Sequence, residues 1–307
     1  MKLIRTNDIP ANALKSVVAI GNFDGVHQGH KSVIEIARDL AKKKKLPLSV
    51  LTFEPHPKCF FNKRKSNFRI TPFRLKFELI RNEQVNYYFN FKFDDDFSKI
   101  TANAFINDIL VNRLKVSHVV TGFDFVFGYK QEGNTDLLKH FSTKNNSFEC
   151  TIVEEFKKKE LNDFSSSEVR KFLSKGNLEK VKKILGRDWS IRARVVEGMK
   201  MGRKIGYPTA NLNIKKFCDI SFGVYEVTVK LKTNISKSSF KGVANYGIKP
   251  TFKNHFPILE IYIFDFNQNI YGESIEVVFK SFIRKEKKFS NVEELKKQIK
   301  KDIKFCK

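Results

Sequence analysis

The hydrophobic period of the chain changes near residue 190, and this change constrains the fold more than any other feature. Residues 17–156 alternate between short continuous apolar runs and segments with apolar residues three and four positions apart. That alternation predicts strands and helices in turn, which is typical of a parallel sheet covered by helices. From about Ile191, as in 224–231 and 274–280, apolar residues occupy every second position. A period of two, interrupted by turn residues, predicts an antiparallel barrel or sandwich.

Local patterns predict the individual elements. Strands are predicted at Val17–Ile20, Leu48–Phe53, from Val85, at His118–Thr121 and at Cys150–Val153. Helical spacing lies between these runs, and Thr101 is the predicted N-cap of one helix. The chain closes with a predicted amphipathic helix, before which Ser290 and Glu293 have capping-box spacing.

The boundary between the two parts is predicted within residues 157–186. This stretch begins with the polar KKKELNDF, which predicts a loop, and continues with two short helical patterns ending near Gly176 and Gly186. We therefore predict an N-terminal domain over residues 1–186 and a C-terminal domain over residues 187–307.

Composition argues against several classes of protein. The four cysteines are far apart and form no C-x-x-C pair, which disfavours a disulfide framework or a zinc site. No run of about 18 apolar residues predicts a membrane span, and the N-terminus lacks the apolar stretch of a secretory signal, so a cytoplasmic protein is expected. The net charge of +25 is compatible with nucleic-acid binding. Because the lysines form short, dispersed clusters such as Lys42–Lys45 and Lys157–Lys159, a surface that attracts anionic nucleotides is favoured instead.

The strongest chemical signal, GNFDGVHQGH, directly follows the first predicted strand. His27 and His30 lie three residues apart at the predicted start of a helix, with Gly29 between them. Backbone N–H groups at a helix N-terminus favour an anion, and histidines donate hydrogen bonds to phosphate oxygens. The alternative is a glycine turn with two surface histidines. The strand before and the helix after favour a nucleotide site, although neither the GxGxxG fingerprint nor a P-loop is present.

Two other stretches in the first part carry weaker signals. TGFDFVFG lies at a strand end, where Asp124 could bond the polar edge of a ligand and Phe125 or Phe127 could line an aromatic slot; the alternative is ordinary core phenylalanines. SSSEVR, Ser165 to Arg170, places hydroxyl groups one helical turn before an arginine, which suits an anion. Its alternative is a simple serine N-cap.

The second part contains two candidate features. In GRKIGYPTANLNI, Thr209 and Asn211 offer two neutral oxygens, which Mg²⁺ accepts beside substrate phosphates; the alternative is a polar loop. Glu260 stands in the apolar run PILEIYIFDF, where a carboxylate can act as a general base or can face solvent on an edge strand.

Ten stretches in order resemble one family, the bacterial bifunctional riboflavin kinase/FMN adenylyltransferases. GNFDGVHQGH, LTFEPHP, TGFDFVFG and SSSEVR resemble its adenylyltransferase module, also known as FAD synthetase. The other six, in the second part, resemble its kinase module: GRKIGYPTAN, FGVYEV, GVANYGIKPTF, LEIYIFDF, IYGESIEVVF and IRKEKKF. The resemblance covers nearly the whole chain.

For the N-terminal domain, the resemblance implies a Rossmann-like nucleotidyltransferase with a parallel sheet. His27 and His30 would be catalytic and contact the ATP phosphates while the FMN phosphate attacks the α-phosphorus and releases pyrophosphate. The implied ATP- and FMN-binding residues are Gly21, Phe23, Asp24, Gly29, Asp124, Ser166, Ser167 and Arg170.

For the C-terminal domain, the resemblance implies a small antiparallel β-barrel with a terminal helix. Thr209 and Asn211 would bind Mg²⁺-ATP, and Glu260 would be the base acting on the riboflavin 5′-hydroxyl. Binding of ATP and riboflavin would further involve Gly202, Gly206, Pro208, Thr209, Asn211 and, in a ligand-closing segment, Arg284. The implied small molecules are riboflavin, ATP, FMN and FAD, with no nucleic-acid, membrane or obligate protein partner.

The sequence departs from the family pattern at a few positions. GMKMGRK stands where a more basic, glycine-rich run is usual, Tyr262 where a histidine is usual, and Ala193 where a glycine is usual. One rival hypothesis is that only one module is active. Another is an RNA-binding protein, because H-x-G-H also occurs in class I tRNA synthetases, but no KMSKS-like loop accompanies it.

Overall fold

The structure is a computed structural model, and it describes residues 1–6, 8–62, 68–156, 164–198, 201–232, 237–248 and 257–306. The predicted loop KKKELNDF, apart from Phe164, lies outside the described residues. By its internal contacts the chain divides into two compact units. The N-terminal unit contains residues 1–65 and 71–165, and the C-terminal unit contains residues 66–70 and 166–307. The domain boundary after residue 186 stays a prediction.

The N-terminal unit is a six-stranded sheet in which every pairing is parallel. Its strands are β1 (Lys2–Ile4), β2 (Val17–Ile20), β3 (Leu48–Glu54), β4 (Tyr87–Lys92), β5 (His118–Gly122) and β6 (Glu149–Val153). Its helices are α1 (Gln28–Lys44), α2 (Pro57–Phe61), α3 (Phe73–Arg81), α4 (Asp95–Ser98), α5 (Ala102–Ala104, continuing as a π-helix over Phe105–Arg113) and α6 (Thr135–Asn145). The five predicted strands are confirmed, and the three-residue edge strand β1 was not predicted.

Both faces of this sheet are buried, which explains the continuous apolar runs. Along β2, Val17 and Ala19 pack into a cluster that includes Ile34 of α1 and Ile80 of α3. The alternate residues of β2 pack on the other face against the π-helical segment and α6. The sheet therefore lies between two helical layers, as predicted.

The strand order β1-β4-β3-β2-β5-β6 places the first helix at a topological switch point. The chain leaves β2 toward β3 on one side, while β5 lies on the other side of β2. In open parallel sheets, ligands bind in the crevice at this point, beyond the carboxyl ends of the strands. GNFDGVHQGH follows β2 and TGFDFVFG overlaps the end of β5, so both motifs lie at this edge.

The C-terminal unit is a closed barrel with strand order β10-β11-β8-β7-β12-β9. Its strands are β7 (Ser190–Val196), β8 (Ala210–Leu212), β9 (Gly223–Lys232), β10 (Lys237–Ile248), β11 (Pro257–Ile263) and β12 (Ser274–Arg284). Its helices are α7 (Ser166–Ser174), α8 (Leu178–Leu185), α9 (Met201–Lys204) and α10 (Val292–Cys306). All pairings in this barrel are antiparallel. Of the two predicted architectures, the structure selects the barrel.

The capping box of α10 lies one residue later than predicted. Asn291 Oδ1 accepts a hydrogen bond from the Glu294 N–H at 2.9 Å, and Glu294 Oε2 accepts from the Ser290 N–H at 3.3 Å. Ser290 and Glu293 have the same spacing, but Glu293 instead pairs with Lys296 on the surface. The prediction was wrong because two polar pairs with identical spacing overlap there. At the other predicted cap, Thr101 accepts from the Ala104 N–H at 3.1 Å, as expected.

In the described part of the chain, no helix combines the length and apolar character needed to cross a membrane.

Candidate functional site

The two histidines of the first motif lie side by side at the start of α1. His27 is the N-cap of the helix, and its Nδ1 accepts a hydrogen bond from the His30 N–H at 3.3 Å. The two rings stack with centroids 3.5 Å apart, and Phe23 contacts the His30 ring edge-on at 5.3 Å. Because Nδ1 of His27 accepts, a neutral His27 carries its proton on Nε2, which is then the ring's hydrogen-bond donor.

The glycines of this motif permit close packing around the histidines. A Cβ on Gly29 would lie 3.3 Å from the His27 ring and 3.3 Å from the Phe164 carbonyl oxygen. A Cβ on Gly21 would lie 3.1 Å from the ring of Phe23. Both positions therefore leave little room for any side chain, in agreement with the tight turn that the sequence predicts.

Asp24 is buried behind the turn. Its Oδ1 accepts from the backbone N–H of Thr71 at 3.0 Å and from the Thr71 hydroxyl at 3.3 Å. Only 1% of the residue is exposed. These contacts give Asp24 a role in holding the turn, and its predicted contact with a nucleotide stays a prediction.

An aromatic pocket of about 230 Å³ lies within the N-terminal unit. Phe125 and Phe127 stack there with centroids 5.4 Å apart, and Phe127 also contacts Phe105 at 5.2 Å. Further lining residues are Asn22, Phe53, His56, Phe93 and Phe97. Asp124 is exposed at the end of β5, with its carboxylate beside Gly122.

Only part of this pocket could be found from the sequence. Phe125 and Phe127 were candidates because they follow a strand end in TGFDFVFG. Phe93 follows β4, Phe97 lies in α4 and Phe105 begins the π-helix, and nothing in the sequence distinguishes them among 31 phenylalanines. The motif LTFEPHP contains Phe53 and His56, but the sequence alone indicates no role for either residue.

Ser166, Ser167 and Arg170 belong to α7 and therefore to the C-terminal unit. Arg170 Nε donates to the Phe68 carbonyl oxygen at 2.9 Å, and its guanidinium stacks over the Phe68 ring at 3.8 Å. Ser166 is the first residue of the helix, and Ser167 is exposed. The assignment of these three residues to the nucleotide stays a prediction.

In the barrel, Asn211 and Glu260 are direct cross-strand neighbours. Glu260 on β11 pairs with Asn211 on β8 and, on its other side, with Asn245 on β10. Directly paired residues project to the same face of a sheet, so the three polar side chains form one row. Glu260 alternates with the buried Leu259 and Ile261, which places the row on the outer face of the barrel.

The predicted glycines Gly202 and Gly206 lie in the segment that leads into β8. A Cβ on Gly202 would overlap the Tyr207 carbonyl oxygen and lie 3.3 Å from Thr209 Oγ1. Gly206 has a φ of 89°, the left-handed region that favours glycine, and Pro208 directly precedes Thr209. Gly198, which the sequence did not single out, lies against the Asn211 carboxamide, and a Cβ there would overlap it.

Arg284, at the end of β12, is held by α10. Its Nε and Nη2 bond the Asp302 carboxylate at 2.7 to 3.1 Å, and Gln298 donates to the same carboxylate at 2.8 Å. Two residues later, the Glu286 carboxylate lies against Gly247 and hydrogen-bonds Asn245. Partial burial raises the pKa of Glu286, against the opposing effects of Asn245 and Arg284. The sequence does not predict Asn245, Glu286 or Asp302 as site residues, because they come from β10, from the segment after β12 and from α10, and their contacts depend on the fold.

Among the described residues, no three His, Cys, Asp or Glu side chains converge as a metal site. The outer row of the barrel nevertheless places the neutral oxygen of Asn211 beside the Glu260 carboxylate, and Thr209 stands two residues before Asn211 in the sequence. Oxygen donors of this kind suit a hard cation that keeps several waters and substrate phosphates as its other ligands.

Sequence profiles of two protein families match the two parts of the chain. A sequence profile of the FAD synthetase family matches residues 9–168, and a profile of the riboflavin kinase family matches residues 185–307. The chain is also similar to proteins named bifunctional riboflavin kinase/FMN adenylyltransferase. The one from Buchnera aphidicola subsp. Schizaphis graminum is 38% identical, with 100% of this chain and 98% of the relative covered.

Further relatives with the same name come from other bacteria. The protein from Haemophilus influenzae is 39% identical, and the match covers 94% of this chain and 92% of the relative. The protein from Escherichia coli K12 is 36% identical over 98% of this chain and 96% of its own. A crystal structure from Streptococcus pneumoniae, described as a macrolide-efflux protein, has 31% identity and a TM-score of 0.85, covering 98% of this chain and 97% of that one.

Proposed function

Since this chain belongs to the family of bifunctional riboflavin kinase/FMN adenylyltransferases, we infer that it makes FAD in two ATP-dependent steps. Riboflavin and ATP give FMN and ADP, and FMN and a second ATP give FAD and pyrophosphate. The observation that carries this inference is that the two family profiles together match residues 9–168 and 185–307, so the chain contains both activities.

We propose that adenylyl transfer takes place at the start of α1. The backbone N–H groups of this 17-residue helix and its positive dipole end favour the ATP phosphates. Nε2–H of His27, together with His30, donates hydrogen bonds as negative charge moves to the leaving pyrophosphate. An FMN phosphate oxygen attacks the α-phosphorus, and the bond from that phosphorus to the bridging oxygen of pyrophosphate breaks.

The aromatic pocket fits the flavin ring of FMN. Isoalloxazine is flat, largely apolar and polar along one edge. The stacked faces of Phe125 and Phe127 suit its plane, while Asn22 and His56 offer polar atoms for that edge. Several lining phenylalanines pack on the sheet face opposite to the Phe23 cluster, so ring binding and phosphate binding use different walls of the unit.

We propose that phosphoryl transfer takes place on the outer row of the barrel. Glu260 accepts the proton of the riboflavin 5′-hydroxyl, whose oxygen attacks the γ-phosphorus while ADP leaves. Thr209 and Asn211 would hold Mg²⁺, which neutralises phosphate charge when bound. The cross-strand pairing of Asn211 with Glu260 supports this assignment, because it places a cation ligand beside the base.

The remaining features are consistent with this role. The surplus of 58 Lys and Arg over 33 Asp and Glu favours encounter with anionic ATP and FMN, and neither reaction calls for a nucleic-acid partner. Because both steps consume ATP, we propose a cytoplasmic location.

The proposal is tested by incubating the protein with riboflavin, ATP and Mg²⁺ and separating the flavins by chromatography. The wild type should form FMN and then FAD. Glu260→Gln, which keeps the shape of the side chain, should lower FMN formation at least about 100-fold while supplied FMN is still converted to FAD. EDTA should stop FMN formation, and excess Mg²⁺ should restore it.

The complementary variants are His27→Ala and His30→Ala. Each should let FMN accumulate, with FAD formation lowered about 100-fold or more. His140→Ala is the matched control, because it removes an exposed histidine from α6 of the same unit. A wild type that forms neither flavin product would contradict the proposed function.

A further inference from the structure

The turn that carries the phosphate-binding motif has an unfavourable backbone. Between β2 and α1, Phe23 has a φ of 49°, Gly25 of 90° and Val26 of 44°. Positive φ is ordinary for glycine but rare for an aromatic residue, and for a β-branched residue it is an outlier. Such a conformation persists only where surrounding contacts impose it. Several hydrogen bonds that hold this turn come from one segment, residues 71–76.

Thr71 holds the middle of the turn. Its backbone N–H and its hydroxyl both donate to Asp24 Oδ1, at 3.0 and 3.3 Å. The same hydroxyl oxygen accepts from the Gly25 N–H at 2.8 Å. Thr71 has no exposed surface, so water does not compete for these bonds. One threonine hydroxyl thereby fixes both a side chain and a backbone amide of the turn.

Lys76 holds the beginning of the turn. Its Nζ donates to the carbonyl oxygen of Asn22 at 3.0 Å. Lys76 has no exposed surface, and a lysine in that position is rare because burial of an ammonium group is costly. Its helix α3 is anchored in the core by Leu75 and Ile80 on either side of it. The Nζ of Lys76 therefore reaches the turn from a helix that packs in the core.

We propose that Thr71 and Lys76 are positioning residues for adenylyl transfer. Together they form a clamp, defined as the hydrogen bonds of these two residues to Asn22, Asp24 and Gly25, that presents the turn and the N-terminus of α1 to ATP. The clamp also accounts for Asp24, whose carboxylate receives the Thr71 bonds inside the protein. This inference rests on the proposed function of the N-terminal unit and adds residues outside the motif itself.

The clamp is tested with two pairs of variants in the full-length protein. Thr71→Val removes the hydroxyl at nearly constant volume, and Thr71→Ser keeps it. Lys76→Met removes the amino group and retains a long side chain, and Arg81→Met removes an exposed cation from the same helix. For each variant, kcat and the KM values for ATP and FMN are measured in FAD formation. The rate of riboflavin phosphorylation is measured on the same preparation.

Thr71→Val and Lys76→Met should each lower kcat/KM for ATP by about 10- to 100-fold, the cost of a small misplacement of catalytic groups. The KM for ATP should rise more than the KM for FMN, because the proposed site for the FMN ring is the aromatic pocket, whose phenylalanines lie outside the clamp. Thr71→Ser and Arg81→Met should stay close to the wild type. Riboflavin phosphorylation should be unchanged throughout. In the double variant the losses should be less than additive, because both residues act through one turn.

Wild-type kinetics in Thr71→Val and Lys76→Met would overturn the clamp. Equal increases in both KM values, or equal losses in Thr71→Ser and Thr71→Val, would also overturn it by indicating a general folding defect. If Lys76→Met does not fold, the comparison of Thr71→Val with Thr71→Ser tests the clamp by itself. A wild type that forms FMN but no FAD would instead contradict the proposed adenylyltransferase function, and this outcome is read before any variant is compared.

Discussion

At the scale of single residues, backbone geometry decides which atoms of the first motif can reach a phosphate. His27 uses Nδ1 to cap its own helix, which leaves Nε2–H as its donor. Asp24 lies three residues earlier, yet it faces the interior, where Thr71 holds it. Two polar residues of one motif therefore differ in role: Asp24 holds the turn, whereas His27 keeps a ring N–H that can bind a ligand.

His118 provides a pH-dependent contribution to stability at the opposite end of the sheet. It is 4% exposed at the start of β5, with Nε2 2.8 Å from Thr151 Oγ1 and Nδ1 3.5 Å from the Glu149 carboxylate. Burial lowers the pKa of His118; Glu149 opposes this shift, and Lys44 adds to it. The unfolded chain therefore binds a proton at a higher pH than the folded chain does.

We predict that the N-terminal unit loses stability as the pH falls from 7 through about 6.5, the pKa of an unperturbed histidine. The loss should level off below the folded-state pKa, and its slope should not exceed about 1.4 kcal/mol per pH unit. His118→Asn should flatten this slope in thermal unfolding measured between pH 7.5 and 5. His140→Asn, at an exposed position, should leave it unchanged. An identical slope in His118→Asn would contradict the prediction.

At the scale of elements, the ends of helices show how far a local pattern determines a structure. The cap at Thr101 was predicted correctly because no competing polar residue has the right spacing there. Before α10, Ser290 and Asn291 both precede a glutamate by three residues. In the structure, Asn291 is the residue whose side chain caps the helix.

We predict that Asn291→Ala weakens α10, whereas Ser290→Ala does not. Asn291 accepts the bond from the Glu294 N–H, and loss of an N-cap costs about 0.5 to 2 kcal/mol of helix stability. Ser290 contributes its backbone N–H to the capping box, and alanine keeps that group. Hydrogen exchange of the first-turn amides of α10 would measure the difference. Faster exchange in Ser290→Ala than in Asn291→Ala would contradict this prediction and support Ser290 as the capping residue.

At the scale of the whole molecule, the two reactions use residues of different folds. The H-x-G-H turn belongs to a parallel sheet, and the Asn211–Glu260 row belongs to an antiparallel barrel. Each fold buries its own core, and the proposed function gives each its own route to phosphate binding, a helix N-terminus in one case and cross-strand polar neighbours in the other. The product of the barrel reaction is the substrate of the sheet reaction.

We predict that two full-length variants, each impaired in a different step, complement each other when they are mixed in solution. Glu260→Gln should be strongly slowed in the kinase step and His27→Ala in the adenylyl step, so either variant alone should convert riboflavin to FAD only slowly. A mixture of the two should form FAD after a lag in which free FMN accumulates, because each active site is complete in one of the variants. Chromatography of timed samples measures the lag. If the mixture stops at FMN, the second step requires FMN made within the same chain.

The sequence by itself determined the two fold classes and the places of the main motifs. The strand at Val17–Ile20 and the alternation around Glu260 are local, and hydrophobic period reports local burial directly. The family resemblance added roles for His27, His30 and Glu260, since ten motifs in order are specific even where one motif is weak.

Only the tertiary structure decided which distant residues share a site. Thr71 and Lys76 meet the turn of Asn22 to Gly25 from about 50 positions away, and the phenylalanines of the flavin-sized pocket come from several elements. Asn245 joins Glu260 through strand register. Contacts of this kind depend on strand order and helix packing, which have no period in the sequence, so residues that look like ordinary core or surface positions acquire their roles only when the chain is folded.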